Sequence, residues 1–313
     1  MRILVTGGRG FLARVVACYL VEQGHEVALL SRSVDLCLPV DVQVIQADMR
    51  DRQQLQAAIT APFDGVVHLA GLGNVRDSVE DPLTYFEVNT GGTLNLLTAL
   101  RQVNPTRRPV VVLASTQTVY GSQHTDPMTE ELLAAPEQPY AMSKLAAEQI
   151  LAEHARTGAI GAVSLRLVNL AGAHGTIRDD NARGIIPKVL TAAATGSPIQ
   201  VNGDGSTVRD YVHVTDVADA IARILAVHRF GETAVYNIGS GRGLSVAEII
   251  QAARDVTGYA VQVESRPPVP EPPSLVVDPQ RAQEALGWKP SRSQIEIIVR
   301  DAWNASHSAT GGN

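Results

Sequence analysis

Only two cysteines, Cys18 and Cys37, occur in 313 residues, with no CxxC pair and no histidine cluster at metal-ligand spacing. That scarcity favours two unpaired thiols over a disulfide framework or a zinc site, and no metal is expected. Long apolar runs are missing as well. The longest, such as Pro109 to Ala114, are strand-length, whereas a membrane span needs about 18 apolar residues or more, so no transmembrane segment and no membrane partner are expected. There is no basic excess: the net charge of -6 argues against a nucleic-acid groove. The adjacent Arg107 and Arg108 read as a solvated loop before a strand. No internal repeat is evident, and the one low-complexity stretch, Ser306 to Asn313, is expected as a flexible tail. A strand beginning at Arg2, with its following glycines belonging to the fold, is read as leaving no room for a cleavable signal peptide, and the cytoplasm is the expected location.

What is present is an ordinary globular composition, 45% hydrophobic and 19% charged, in a chain long enough for about two lobes. Arg2 to Thr6, Glu26 to Leu30, Val42 to Gln46, Gly65 to Leu69, Val110 to Ala114 and Ala162 to Leu167 read as strands, with helical patterns between them. Their near-continuous apolarity implies burial on both faces. The expectation is therefore an α/β fold, a Rossmann-type doubly wound parallel sheet over residues 1–168. After about Asn169 glycines and prolines punctuate short elements, and Pro267 to Pro273 forms a stiff connection. Residues 169–305 read as a smaller substrate lobe closing over the C-terminal edge of the sheet, where ligands of such folds bind.

Thr6, Gly7, Gly8, Arg9, Gly10, Phe11, Leu12 and Ala13 follow the first strand and open a helix. Gly7 permits a tight turn, Gly10 lets backbone approach a pyrophosphate, and the helix N-terminus offers N–H groups and positive dipole. At the end of the second strand an acidic residue would bind the adenosine ribose hydroxyls and repel a 2′-phosphate; Ser31 and Arg32 stand there instead. A hydroxyl beside a guanidinium suits a phosphate dianion, so NADP(H) is favoured over NAD(H). The plainer alternative is a surface arginine beside a serine with no cofactor role.

Tyr140 and Lys144 fall at i and i+4 of a helical segment, on one face. A neighbouring ammonium plus the positive charge of the cofactor would stabilise a phenolate and lower the tyrosine pKa, making it an acid-base group. Thr116, at the end of the strand containing Ala114, supplies a hydroxyl for a substrate oxygen.

With these residues in place the chain resembles an extended short-chain dehydrogenase/reductase of the nucleotide-sugar epimerase/dehydratase family along nearly its whole length. The matching segments are TGGRGFLA, Gln46 to Met49, HLAG at His68 to Gly71, VNTGGT with Asn89, STQTVYG, YAMSK, and Asn169 with GAHG. VRDYVHVTD at Val208 to Asp216, YNIGSG at Tyr236 to Gly241 and LGWKP at Leu286 to Pro290 complete the series. The resemblance implies that Asp48 and Met49 flank the adenine, that Leu69, Ala70 and Gly71 line the pyrophosphate and ribose, and that Lys144 binds the nicotinamide ribose. It makes Thr116, Tyr140 and Lys144 the catalytic set, and Asn169 and Arg209 diphosphate contacts. Asn89, carried into the cofactor set, could equally cap or bridge a helix; Arg209 could pair with Asp210. His68 and His213 read as satisfied core histidines. A homodimer through the helices following Asn89 and Tyr140 is the family's usual assembly.

Three departures bear on function. Gln117 and Thr118 stand where dehydratases of the family carry an acidic pair, and neither is a general acid at neutral pH. Ser31 replaces the carboxylate of epimerases that retain NAD. The late diphosphate arginine falls near Pro268, leaving Arg266 as the nearest candidate, and an expected asparagine is Gly184. The reading these support is an NADPH-dependent ketoreductase acting on a nucleotide-linked keto-sugar, at C4. The alternative is a nucleotide-sugar 4-epimerase using the same groups; a non-catalytic dinucleotide-binding protein is the third.

Overall fold

The computed structural model describes residues 1–308 apart from 37, 105–107, 125–126 and 270. The readings of Cys37 and Arg107, and residues 309–313 of the expected tail, lie outside the described residues. The remainder of that tail is helical, because the last helix runs Ile295–Ser308.

The strands in chain order are β1 (Arg2–Thr6), β2 (Glu26–Ser31), β3 (Gln43–Gln46), β4 (Gly65–His68), β5 (Val110–Thr116), β6 (Gly161–Leu167), β7 (Asn169–Ala171), β8 (Ala173–His174) and β9 (Ile177–Arg178). They continue with β10 (Ile199–Asn202), β11 (Val208–His213), β12 (Thr233–Ile238), β13 (Gly243–Ser245), β14 (Val263–Arg266) and β15 (Ser274–Leu275). The helices are α1 (Phe11–Glu22), α2 (Arg52–Ala58), α3 (Val75–Glu80), α4 (Pro82–Tyr85), α5 (Gly92–Val103), α6 (Pro139–Arg156), α7 (Ile185–Thr195), α8 (Val214–Val227), α9 (Val246–Thr257), α10 (Gln280–Leu286) and α11.

Seven strands form one parallel sheet in the order β12-β6-β5-β4-β1-β2-β3. Ile3 and Val5 of β1 face one apolar cluster with α1 and α8, while Leu4 faces another with α2, α5 and α6. Burial on both faces is why these strands read as unbroken apolar runs rather than alternating ones. The Rossmann expectation holds, with one correction to the boundary. The sheet is not finished at residue 168: β12 pairs in register with β6 from Thr233↔Ala162 to Ile238↔Leu167, and α8 packs beside α1. The segment TAVYNI alternates only weakly and follows the lobe, so its membership of the first sheet carried no local signal.

A third cluster, containing Ile186, Val189, Tyr211, Ile249, Ile298 and Val299, forms the core of the second lobe between α7, α9 and α11. Strand β11 links the layers, pairing with β7, β13 and β15. It thereby brings Tyr211 beside the C-terminal ends of β5 and β6, while Arg209 lines an adjoining space.

Candidate active site

Gly7 has φ +84, and a Cβ there would lie 2.8 Å from the backbone nitrogen of Ala70. Its turn closes through Gly10 N donating to Gly7 O at 2.7 Å, while the N–H groups of Gly7 and Gly8 both donate to Leu30 O at 3.0 Å. Gly10 is the N-cap of α1 and has no side chain to occupy the exposed N–H groups. At Gly71 a Cβ would fall 2.8 Å from Asn89 Oδ1 and 2.9 Å from Lys144 Nζ. Side-chain-free backbone at positions 7, 10 and 71 leaves a cradle that fits a pyrophosphate and its ribose.

Behind the cradle runs a chain of buried hydroxyl and imidazole groups. Leu69 N and Ala70 N donate to Thr6 Oγ1 at 3.1 and 3.0 Å. The Thr6 hydroxyl proton is thereby directed to His68 Nδ1, 2.8 Å away. His68 Nε2–H then meets Thr93 Oγ1 at 3.0 Å, and Thr93 donates to Asn89 O at 2.6 Å. His68 is 1% exposed, and burial pushes its pKa down to about 3 with help from the Lys144 charge. It is a neutral, fully partnered core histidine. His213 is buried too, and burial lowers its pKa to about 4 against the upward pull of Asp301, whose carboxylate lies 3.2 Å from Nε2. Nδ1 accepts from Thr215 N at the start of α8, but Nε2 has no hydrogen-bond partner, so this ring is not fully satisfied.

Asn89 spends its amide inside the protein: Oδ1 accepts from Leu72 N at 2.8 Å, and Nδ2 donates to Leu72 O at 3.1 Å and Ser143 Oγ at 3.0 Å. It bridges the 69–72 loop to α6, the bridging role that its sequence context left open beside a cofactor contact. The π-helical turn Phe86–Gly91 sets it at this junction.

Pro139 occupies the first turn of α6, where its missing N–H costs nothing, so the helix begins beside Tyr140. Thr116, Tyr140 and Lys144 all line a cavity of about 500 Å³ together with Gly7, Gly10, Phe11, Leu12, Leu69, Gly71 and Asn169. Tyr140 packs edge-on against Tyr85, ring centroids 6.3 Å apart. Burial pushes the Tyr140 phenol above its ordinary value, its hydrogen bond with the Thr116 side chain pulls it down, and Tyr85 adds upward. The downward shift expected from Lys144 is not the net direction. The Lys144 ammonium instead donates to Ala114 O at 2.8 Å, and burial lowers its own pKa to about 8 against an upward pull from Glu148.

A second cavity, about 310 Å³, shares Gly7, Gly10, Leu69 and Gly71 with the first and is lined by Ser31, Arg32, Asp48, Met49 and Ala70. Arg9 and Arg50 also reach it. Asp48 is paired with Arg50 at 2.8 Å, and that contact holds its carboxyl below the ordinary range. A third space, about 1200 Å³, touches the first at Val75, Thr118 and Pro187 and contains Arg209 and Arg266. Arg209 pairs with Glu271 at 2.8 Å and donates to Val208 O and Pro272 O; its partner is not Asp210. Asp210 is fully buried and accepts from Ser240 and Gly241.

Sequence reasoning missed Glu148, Arg166 and the buried state of Gln117. Glu148 and Arg166 form an ion pair at 2.9 Å, with side chains 7% and 8% exposed, and Ser115 Oγ also donates to Glu148. The available signal was the four-residue step Tyr140, Lys144, Glu148 along one helical face.

Comparison with known proteins agrees with this geometry. Residues 3–239 match the NAD dependent epimerase/dehydratase family. UDP-glucose 4-epimerase of Streptomyces lividans is 37% identical, over 98% of this chain and 97% of that enzyme. The Corynebacterium glutamicum UDP-glucose 4-epimerase is 34% identical over 99% and 97%. The crystal structure of UDP-glucose-4-epimerase from Stenotrophomonas maltophila, with bound NAD and formylated UDP-arabinopyranose, superposes with TM-score 0.88 at 31% identity, covering 99% of both chains. These relatives favour the 4-epimerase alternative, and the NADPH-dependent ketoreductase expectation draws no support from them.

Proposed function

We propose, for a chain that belongs to the NAD dependent epimerase/dehydratase family, that it is a cytoplasmic UDP-hexose 4-epimerase with NAD as its resident cofactor. What carries the reading is the convergence of Thr116, Tyr140 and Lys144 on one cavity continuous with the glycine cradle. Gly7, Gly10, Phe11, Leu12, Leu69, Ala70 and Gly71 would hold the dinucleotide's centre, Asp48 and Met49 its adenine, and Lys144 its nicotinamide ribose. Bound NAD supplies reversible hydride transfer at the sugar C4.

The residues of the chain move the proton and hold the sugar. Tyr140 takes the proton of the 4-hydroxyl and returns it to the same oxygen once the sugar has turned its other face. Thr116, which lines the same cavity as Tyr140, keeps that oxygen beside the phenol. Lys144 opposes the cost of the phenolate charge. Arg209, Asn169 and Arg266 take the diphosphate, with Arg209 exchanging its bond to Glu271 for a phosphate oxygen, and that remote binding orients the sugar. The adjoining space of about 1200 Å³, which contains Arg209 and Arg266, would receive the diphosphate and nucleoside. The exposed apolar side chains Leu94 on α5 and Met142 on α6 support a homodimer through these helices.

The test is conversion of UDP-galactose to UDP-glucose by purified protein with no dinucleotide added, followed by anion-exchange chromatography. Turnover that appears only with a keto-sugar nucleotide and added NADPH would restore the reductase reading. One observation keeps NADP(H) in view: Ser31, Arg9, Arg32 and Arg50 surround the second cavity. Denaturing the protein and identifying the released dinucleotide decides between the two cofactors.

A further inference from the structure

Gln117 follows Thr116 in the short 3-10 turn Gln117–Tyr120, which is placed by the Thr116 hydroxyl accepting from Thr118 N. Its side chain is 5% exposed and lines the same cavity as Thr116, Tyr140 and Lys144. Gln117 Oε1 is buried and has no hydrogen-bond partner. Such atoms are rare in folded proteins and carry a standing cost, because the water they lost has not been replaced. An amide does not titrate near neutral pH, so the cost is not relieved by a change of charge. The adjacent hydroxyl is already engaged, since Thr116 Oγ1 accepts from Thr118 N at 3.2 Å and meets Thr118 Oγ1 at 3.0 Å.

A ligand group that would complete this arrangement must be neutral, polar and next to the oxygen held by Thr116, and the amide must turn to meet it, because Oε1 itself has almost no accessible surface. A sugar hydroxyl meets all three conditions and, being both donor and acceptor, pairs with either end of the amide. We infer that Gln117 is a specificity-determining residue that reads a hydroxyl flanking the reacting carbon, on C3 or C6 of the sugar. The inference rests on the proposed sugar-nucleotide reaction and adds to it a preference among sugars. A site built to bond a hydroxyl rejects the analogue lacking it, because its own polar group is then left unpaired.

The experiment pairs removal of the amide with removal of the hydroxyl. Wild type and Gln117→Leu are assayed by kcat/KM on UDP-galactose and its 3-deoxy and 6-deoxy analogues, with calorimetric Kd values for the same three ligands. Wild type should lose about tenfold on one deoxy analogue, and Gln117→Leu about tenfold on UDP-galactose. On that same analogue the variant should lose no more than about twofold further, because the two deletions remove one interaction. The analogue that closes the cycle identifies the hydroxyl. Equal losses on all three ligands, or no loss on any, overturn the inference. Gln117→Met, of similar length and without the amide, must repeat the pattern if Gln117→Leu folds poorly. Wild-type turnover of UDP-galactose reports on the proposed function separately: an active enzyme with no coupling at Gln117 refutes only the present inference.

Discussion

Lys144 donates from Nζ to the carbonyl oxygen of Ala114 at 2.8 Å, so the ammonium is tied to the strand end that carries Thr116. The three groups assigned to chemistry are therefore held by one contact between β5 and α6. Tyr140→Phe keeps the ring and its packing on Tyr85 but removes the proton carrier. Turnover of UDP-galactose should fall about 10²- to 10⁴-fold, with dinucleotide retention and thermal unfolding near wild type. Undiminished turnover would remove Tyr140 from the proton-carrying role, whereas absence of turnover in the wild type would move the protein to the non-catalytic binding class.

Alkaline pH should reduce activity through Lys144. Burial lowers its folded pKa to about 8, so the ammonium is present below that value and lost as pH rises through it. The charged and titratable groups around it are Glu148 and Tyr140 on α6, Arg166 on β6 behind Glu148, and neutral His68 on β4. Glu148→Gln removes the carboxylate that supports the ammonium while keeping a hydrogen-bonding side chain. The alkaline limb of kcat/KM should move to lower pH, which a purely structural role for Glu148 would not produce.

Glu148→Ala tests the structural half of that network. It leaves Arg166 buried and uncompensated, which costs about 3–5 kcal/mol. Urea unfolding should show that loss, and a double substitution with Arg166→Met should recover part of it.

Acid should destabilise the fold through His68. Its folded pKa of about 3 lies below the ordinary 6.5, so between those values the unfolded chain binds the additional proton. Stability from this group is complete above about pH 6.5 and declines as pH falls, by about 1.4 kcal/mol per unit. His68→Gln should flatten the pH dependence of urea unfolding midpoints between pH 7 and 5. An unchanged slope would contradict the neutral tautomer assigned to this ring.

Gly7→Ala places a Cβ against the Ala70 backbone in a conformation that L-residues disfavour. Strain of about 1–3 kcal/mol is expected, together with loss of dinucleotide from the purified protein. Gly24→Ala is the control. It shares a positive φ but has open space around it, so it should cost stability without affecting cofactor retention.

Local patterns carried much of the architecture and the main constellation. Six of the parallel strands were legible because burial on both faces leaves apolar runs, and the Gly7–Gly10 turn because close backbone approach demands absent side chains. Tyr140 and Lys144 followed from helical spacing. Position in space carried the rest. Whether Asn89 faces a ligand or a loop, and whether Arg209 pairs with Asp210 or Glu271, depends on contacts separated by tens of residues. Without the cofactor's positive charge, dehydration of the Tyr140 phenol sets an upward direction, because the Lys144 ammonium is bonded to Ala114 O. The cofactor preference drawn from Ser31 and Arg32 rested on the missing carboxylate, and a similar structure with bound NAD gives it no support.

The late arrival of β12 divides the substrate lobe: α7 and β10 precede that strand, and α9 and α11 follow it, so the chain leaves the lobe to finish the sheet and then returns. β6 cannot acquire its outer neighbour until residues 169–232 have been synthesised, so the final pairing is non-local and slow to form. A truncation ending at residue 168 would bare β6 as a long apolar edge open to other chains. Such a fragment should aggregate instead of yielding an isolated nucleotide-binding module, and lobe swaps between relatives must restore both the departing and the returning strand.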